Sequence, residues 1–104
     1  MRLDLGREVP EALEERKGAV EEAVRWTEQH PEAWEWMVEQ AVSARGRASM
    51  RWIMEGMRRR FRVRVKNGHA PIFTRLIRLD HPDVPFCLAR SQYDRLFEIL
   101  GAGR

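Results

Sequence analysis

The sequence predicts a single, mainly α-helical domain carrying one short β element, with a helix-turn-helix or winged-helix plan. Three observations lead there. Apolar residues recur at helical spacing in five stretches, and proline, serine or glycine marks their ends. Between Phe61 and Lys66 the period changes from 3.6 to two, just before an Asn67-Gly68 pair of the kind that turns a hairpin. The chain has 104 residues, 43% hydrophobic and 34% charged, which suits one modest core. A chain of this size buries roughly 60 to 70% of its unfolded surface, enough to fold alone, with dimerisation as added support.

Met1 to Glu8 shows no period and reads as loose chain. Pro10, followed by Glu11, Glu14 and Glu15, opens the first helix, since proline fits a first turn and carboxylates suit its positive end. Leu13, Val20, Ala23, Val24 and Thr27 share one face. Gly18 interrupts it, at a cost of about 1 kcal/mol relative to alanine, and suggests a break. His30-Pro31 ends this helix, because the residue before proline is pushed from helical angles, and Pro31 starts the next. That second helix, Glu32 to about Ala44, places Trp34, Met37, Val38 and Ala41 on one face and Trp36 opposite, with Arg45-Gly46 as its stop. The short Ser43–Ser49 connection makes the second and third helices neighbours, steeply crossed or antiparallel.

Ser49 caps the third helix. Rotation by about 100° per residue sets Met50, Ile53, Met54, Met57 and Phe61 on one stripe. Arg51, Arg58 and Arg62 fall on a flank with Glu55, while Trp52 and Arg59 point away from the stripe. From Phe61 the chain alternates, with Phe61, Val63 and Val65 set against Arg62, Arg64 and Lys66, as in a half-buried strand. The residues from His69 to Leu79 fit either a return strand or a helix opened by Pro71. The helix is favoured, because Ile72, Phe73, Leu76, Ile77 and Leu79 recur at helical spacing and Pro71 would remove a ladder donor. Arg75 and Arg78 lie on its polar side. Asp80-His81-Pro82-Asp83 stops it, and Val84 to Arg90 is a short stretch anchored by Phe86 and Leu88. In the last helix Ser91 and Asp94 approximate a capping box, and Tyr93, Leu96, Phe97 and Leu100 form the apolar face. Gly101 ends it, and the last four residues read as frayed.

Charge is sorted along the chain. Residues 1–44 carry five basic and eleven acidic side chains, residues 45–66 nine and one, and residues 67–104 five and four. The net charge of +3 therefore hides a block of +8 in the middle. A basic block is the footprint of polyanion binding, since neutralising phosphates releases counterions. Packing of the acidic first half against that block, within one chain or across a dimer, is the competing explanation. Arginine outnumbers lysine seventeen to two. It grips phosphate with a planar fork and stacks on bases, although GC-rich coding also favours it.

The residue order from about Trp26 to Arg90 includes His30-Pro31 followed by Trp34, then Ser49-x-Arg51 with Glu55 and Arg58, then Arg75-Leu76-Ile77, and finally Pro82-Asp83, Phe86 and Arg90. This order resembles that of a family of small uncharacterised proteins encoded by bacteriophages and prophages of high-GC bacteria. The family has an Asn-rich, tyrosine-containing segment where this chain has Asn67 to Pro71, and a longer step from Pro82 to the last arginine. The resemblance implies a phage or prophage setting and no particular reaction.

Catalysis is not expected. His30, His69 and His81 are scattered over three junctions, with no cysteine or carboxylate at ligand spacing, so neither a metal nor a cofactor is expected. The lone Cys87, between Phe86 and Leu88, reads as a small buried apolar residue, excludes an intrachain disulfide and suits a reducing cytoplasm. No apolar run approaches the roughly 20 residues of a membrane span, and the N-terminus has no signal-peptide pattern. The expected function is non-catalytic nucleic-acid binding, DNA ahead of RNA. Its expected contacts are Arg51, Trp52, Arg58, Arg59, Arg62, Arg64 and Lys66, with Arg75 and Arg78 on a neighbouring helix. The alternative is a protein-interaction factor, either a homodimer or a binder of a host protein, using tryptophan-rich helix faces. The two differ in where the cations go: a nucleic-acid binder gathers them on one face, whereas an interaction protein cancels them with Glu14, Glu21, Glu28 and their neighbours.

Overall fold

The computed structural model describes residues 3–86 and 89–101. The expected role of Cys87, the anchoring by Leu88 and the fraying of residues 102–104 lie outside the described residues. A single 3-10 turn, Glu11–Leu13, leads into α1 (Glu14–Gln29), which runs unbroken through Gly18. The break expected there does not occur, since Leu13, Val20, Ala23 and Thr27 are all buried on one side and hold both halves in register. His30 ends α1, its backbone N–H donating to Trp26 O, and Pro31 sits in the first turn of α2 (Pro31–Val42).

Ser49 caps α3 (Met50–Phe61), its hydroxyl accepting from the backbone N–H of Trp52 at 3.3 Å. The stripe of Met50, Ile53, Met54 and Met57 is buried, with Phe61 half-buried at its end. α3 packs mainly against α2 and α4 (Ala70–Asp80). Gly56 has a reason to interrupt α3: a Cβ there would lie 2.9 Å from Cη2 of Trp36, whose ring crosses the helix at that point. Trp36 then meets Phe61 edge-on at 6.0 Å, with the Arg60 guanidinium over its face. The aromatic centre is Phe73 of α4, fully buried, with Trp26 and Trp34 each 5.3 Å away and His69 edge-on at 5.8 Å.

The short β element is absent: the described residues form no strand. Residues 62–66 do run extended, and their burial alternates as the sequence implied, with Val63 and Val65 half-buried and Arg62, Arg64 and Lys66 exposed. No return strand faces them, because Asn67–His69 forms a 3-10 turn that passes directly into α4, with Pro71 in its first turn. Helical propensity and burial of Ile72, Phe73, Leu76 and Ile77 outweigh the hairpin signal of Asn67-Gly68. The hairpin of a winged helix is therefore missing. An isolated parallel bridge joins Ala48 to Phe86.

At the chain's far end Asp94 begins α5 (Asp94–Gly101), and its carboxylate accepts from the backbone N–H of Ser91 at 2.9 Å, the reciprocal half of a capping box. From Leu3 on, the stretch expected to be loose is tied to this helix, while Met1 and Arg2 lie outside the described residues. Asp4 N–H donates to Leu100 O at 3.0 Å, the Arg7 guanidinium donates to Ile99 O at 3.1 Å, and Leu3, Leu5 and Val9 pack on the core. No helix among the described residues is long and apolar enough to cross a membrane.

A basic groove between α1 and the extended segment

The extended segment owes its place to two side chains that do the work of a missing neighbouring strand. From α1, Trp26 Nε1 donates to the carbonyl of Arg64 at 2.8 Å. From α3, Arg58 donates to the carbonyl of Val65 at 2.9 Å, to Oδ1 of Asn67, and more loosely to Glu55 at 3.5 Å. Backbone polar groups that would face a strand partner are thus satisfied by an indole and a guanidinium. Between this segment and α1 lies a groove of about 820 Å³. Arg25, Arg58, Arg62, Arg64 and Lys66 line it against the single carboxylate of Glu22, with Trp26, Val63, Val65, Gln29 and His69 completing the lining.

Among these cations the side chains of Arg25, Arg62 and Arg64 form no ion pair or hydrogen bond with any described residue. Lys66 is bridged to Glu22 at 2.6 Å, with both groups solvated, and its hydrogen bond holds the Glu22 carboxyl below the usual carboxylate range. This is the one ion pair among the described residues that joins the acidic first 44 residues to the basic block. Glu14, Glu21 and Glu28 form no ion pair with a described arginine.

Arg62 sits in a strained place. It ends α3 in the left-handed conformation, φ 55° and ψ 36°, and is the one described non-glycine residue with a positive φ. Glycine normally fills such a position, and a side chain there costs about 1–2 kcal/mol. His69 lines the groove too. It is 94% buried by its 6% exposure, and its Nδ1 is buried without a hydrogen-bond partner. Burial holds its imidazole below the usual histidine value, partly opposed by Glu22, so the ring is neutral at pH 7.

The structure divides the expected contacts. Arg62, Arg64, Lys66 and Arg58 meet at the groove, and Arg58 also borders a smaller hollow that it shares with Arg51 and Glu55, so the basic surface continues along α3. Arg51, Trp52 and Arg59 are exposed on the outer side of α3, with Trp52 67% accessible. Arg75 and Arg78 stand apart and are engaged internally. Arg75, 14% exposed, pairs with Asp94 at 2.7 Å and donates to the carbonyls of Pro71 and Ala89, while Arg78 donates to Pro82 O. Arg58 is likewise a clamp as much as a free cation. Trp26, Arg25, Gln29 and His69 were not among the expected contacts. The sequence does hold a signal for the first three, since Glu22, Arg25, Trp26 and Gln29 follow the i, i+3, i+4, i+7 spacing of one helix face.

The described residues hold no cluster of three or more histidine, cysteine, aspartate or glutamate side chains placed to bind a metal ion. Comparison with family models, with curated proteins and with solved structures gives no match.

Proposed function

We propose that the protein is a non-catalytic nucleic-acid-binding module, with DNA its first candidate ligand, that holds phosphates along α3 and residues 62–66. The observation that carries this reading is the groove: five cations face one carboxylate, and three of the arginines form no ion pair or hydrogen bond with a described residue. Cations left unpaired while an acidic half of the same chain lies close are available to phosphate, which arginine grips bidentately. The positive φ of Arg62 supports the same reading, because ending a helix needs only glycine.

In the helix-turn-helix version of this proposal α2 and α3 form the pair, and α3 presents Arg51, Trp52 and Arg59 outward. The phage or prophage and cytoplasmic setting rests on the sequence reading alone. The interaction-factor reading retains one supporting observation, the exposure of Trp52, since Trp26 is buried and Trp34 and Trp36 are half-buried. Titration of labelled duplex DNA at low salt tests the proposal, comparing the wild type with an Arg62→Ala/Arg64→Ala variant. The expected result is measurable binding that weakens in the variant by a similar factor for unrelated sequences. Absence of wild-type binding to both duplex and single-stranded DNA would overturn it.

A further inference from the structure

The groove contains more than a phosphate grip requires. Beside its five cations it is lined by the apolar side chains of Trp26, Val63 and Val65. Duplex DNA presents phosphates on a convex surface and keeps its base faces stacked on one another, so such an apolar lining contributes nothing to binding it. An unpaired strand differs, because its bases can turn out and lay a flat apolar face on protein while the phosphates stay near arginine. At about 820 Å³ the groove falls within the range, about 300 to 1,000 Å³, of clefts that enclose small organic ligands. His69 adds an independent observation: a side chain more than nine-tenths buried lines the groove and leaves Nδ1 without a partner. Buried polar atoms are normally satisfied, and this one, itself shielded from solvent, is a polar group beside the groove that no described residue answers.

We propose that this groove seats one unstacked nucleotide of a single-stranded nucleic acid, its base against Trp26, Val63 and Val65 and its phosphates among Arg25, Arg62 and Arg64. The inference rests on the nucleic-acid reading and narrows it from a phosphate grip to a seat for a base. The strand is held in place without a sequence code, because every base offers an apolar face.

The test compares three polyanions by titration with the intact protein: an oligothymidylate of about 8 nucleotides, within the usual site size of single-strand binders, an abasic deoxyribose-phosphate oligomer of equal length, and polyglutamate. NMR follows the Trp26 indole N–H, whose hydrogen bond to Arg64 O places it at the groove. The oligothymidylate is expected to bind roughly tenfold more tightly than the abasic strand, the lower part of the range for a stacked base, and to move the Trp26 resonance where the abasic strand does not. An Arg25→Ala variant, altered at an exposed position, should bind the oligothymidylate several-fold more weakly with its fold intact. Equal affinity for the base-bearing and abasic strands overturns the nucleotide seat while leaving phosphate binding in place. An unmoved Trp26 resonance in the presence of tight binding overturns it as well, since the base then lies elsewhere. No binding of either strand overturns the nucleic-acid reading itself, and polyglutamate binding as tight as the oligothymidylate replaces it with recognition of an acidic peptide.

Discussion

Replacing Trp26 with phenylalanine removes one hydrogen bond and part of one ring, and the structure says what each is worth. The indole N–H is the donor that satisfies the Arg64 carbonyl, at 2.8 Å. Losing a bond of this kind costs about 0.5–1.5 kcal/mol, and up to about 3 kcal/mol if the carbonyl stays buried. The bond is only partly buried, so the lower part of that range applies. The ring itself is 8% exposed and packs on Phe73 and His30 at 5.3 and 5.1 Å. Phenylalanine keeps most of that contact but leaves a gap, adding about 1–2 kcal/mol. The expected loss is therefore about 2–3 kcal/mol, a large part of the roughly 5–15 kcal/mol that holds a domain together. Urea denaturation reads it directly: the midpoint should fall with an unchanged slope, and Tm should drop by about 10 °C or more at about 4–8 °C per kcal/mol. A loss below about 0.5 kcal/mol would refute the reasoning, because it would mean that the extended segment is not fastened to α1 through Trp26.

Arg62→Gly should do the opposite to the fold, relieving the positive φ and raising stability by about 0.5–1 kcal/mol while weakening nucleic-acid binding; denaturation and titration on the same sample would check both signs. Trp52→Ala should leave stability within about 0.5 kcal/mol, since the ring is 67% exposed, and weaken whichever association uses it by about 1–3 kcal/mol; iodide quenching of a variant retaining only Trp52 checks its exposure first. Asp94→Asn should destabilise at pH 7 by about 1 kcal/mol, the upper end for a largely solvated pair. The hydrogen bond from Arg75, with help from the Ser91 N–H, holds the Asp94 carboxyl below its ordinary value of 3.8, so its contribution is present above that value and is lost as pH falls through the lower folded value. Urea midpoints of wild type and variant should converge in acid. Convergence at alkaline pH instead would contradict the assignment.

The helices were legible because burial period reports helix geometry directly: the Met50, Ile53, Met54 and Met57 stripe, the Ser49 cap and the Pro71 start all lie where the sequence put them. The error at residues 62–66 has a specific cause. Alternation shows that every second residue is buried, but not what lies alongside, and here the neighbours are helices whose Trp26 and Arg58 side chains take the place of a strand. Trp26 is absent from the face of Leu13, Val20, Ala23, Val24 and Thr27 because rotation alone does not reveal that the extended segment covers its flank of the helix. Counting arginines could not separate Arg25, Arg62 and Arg64, which bond to no described residue through their side chains, from Arg58 and Arg75, whose partners Val65 O, Asn67, Asp94 and Ala89 O are brought to them by the chain's path. The docking of Leu3, Leu5 and Val9 was missed for a related reason: three apolar residues spread over seven positions carry no period, yet α5 offers carbonyls and a surface to receive them.

The central claim is that the free arginines of the groove neutralise phosphate, and the salt dependence of binding measures this most directly. If about four phosphates are neutralised, the logarithm of the association constant for duplex DNA should fall against the logarithm of salt with a slope near −3.6, a loss of about 150-fold between about 50 and about 200 mM. With Arg62→Ala and Arg64→Ala combined, two of those contacts vanish and the slope should shrink to about −1.8. A wild-type protein that binds no DNA at the lower salt, or one whose slope the double substitution leaves unchanged, would contradict the claim.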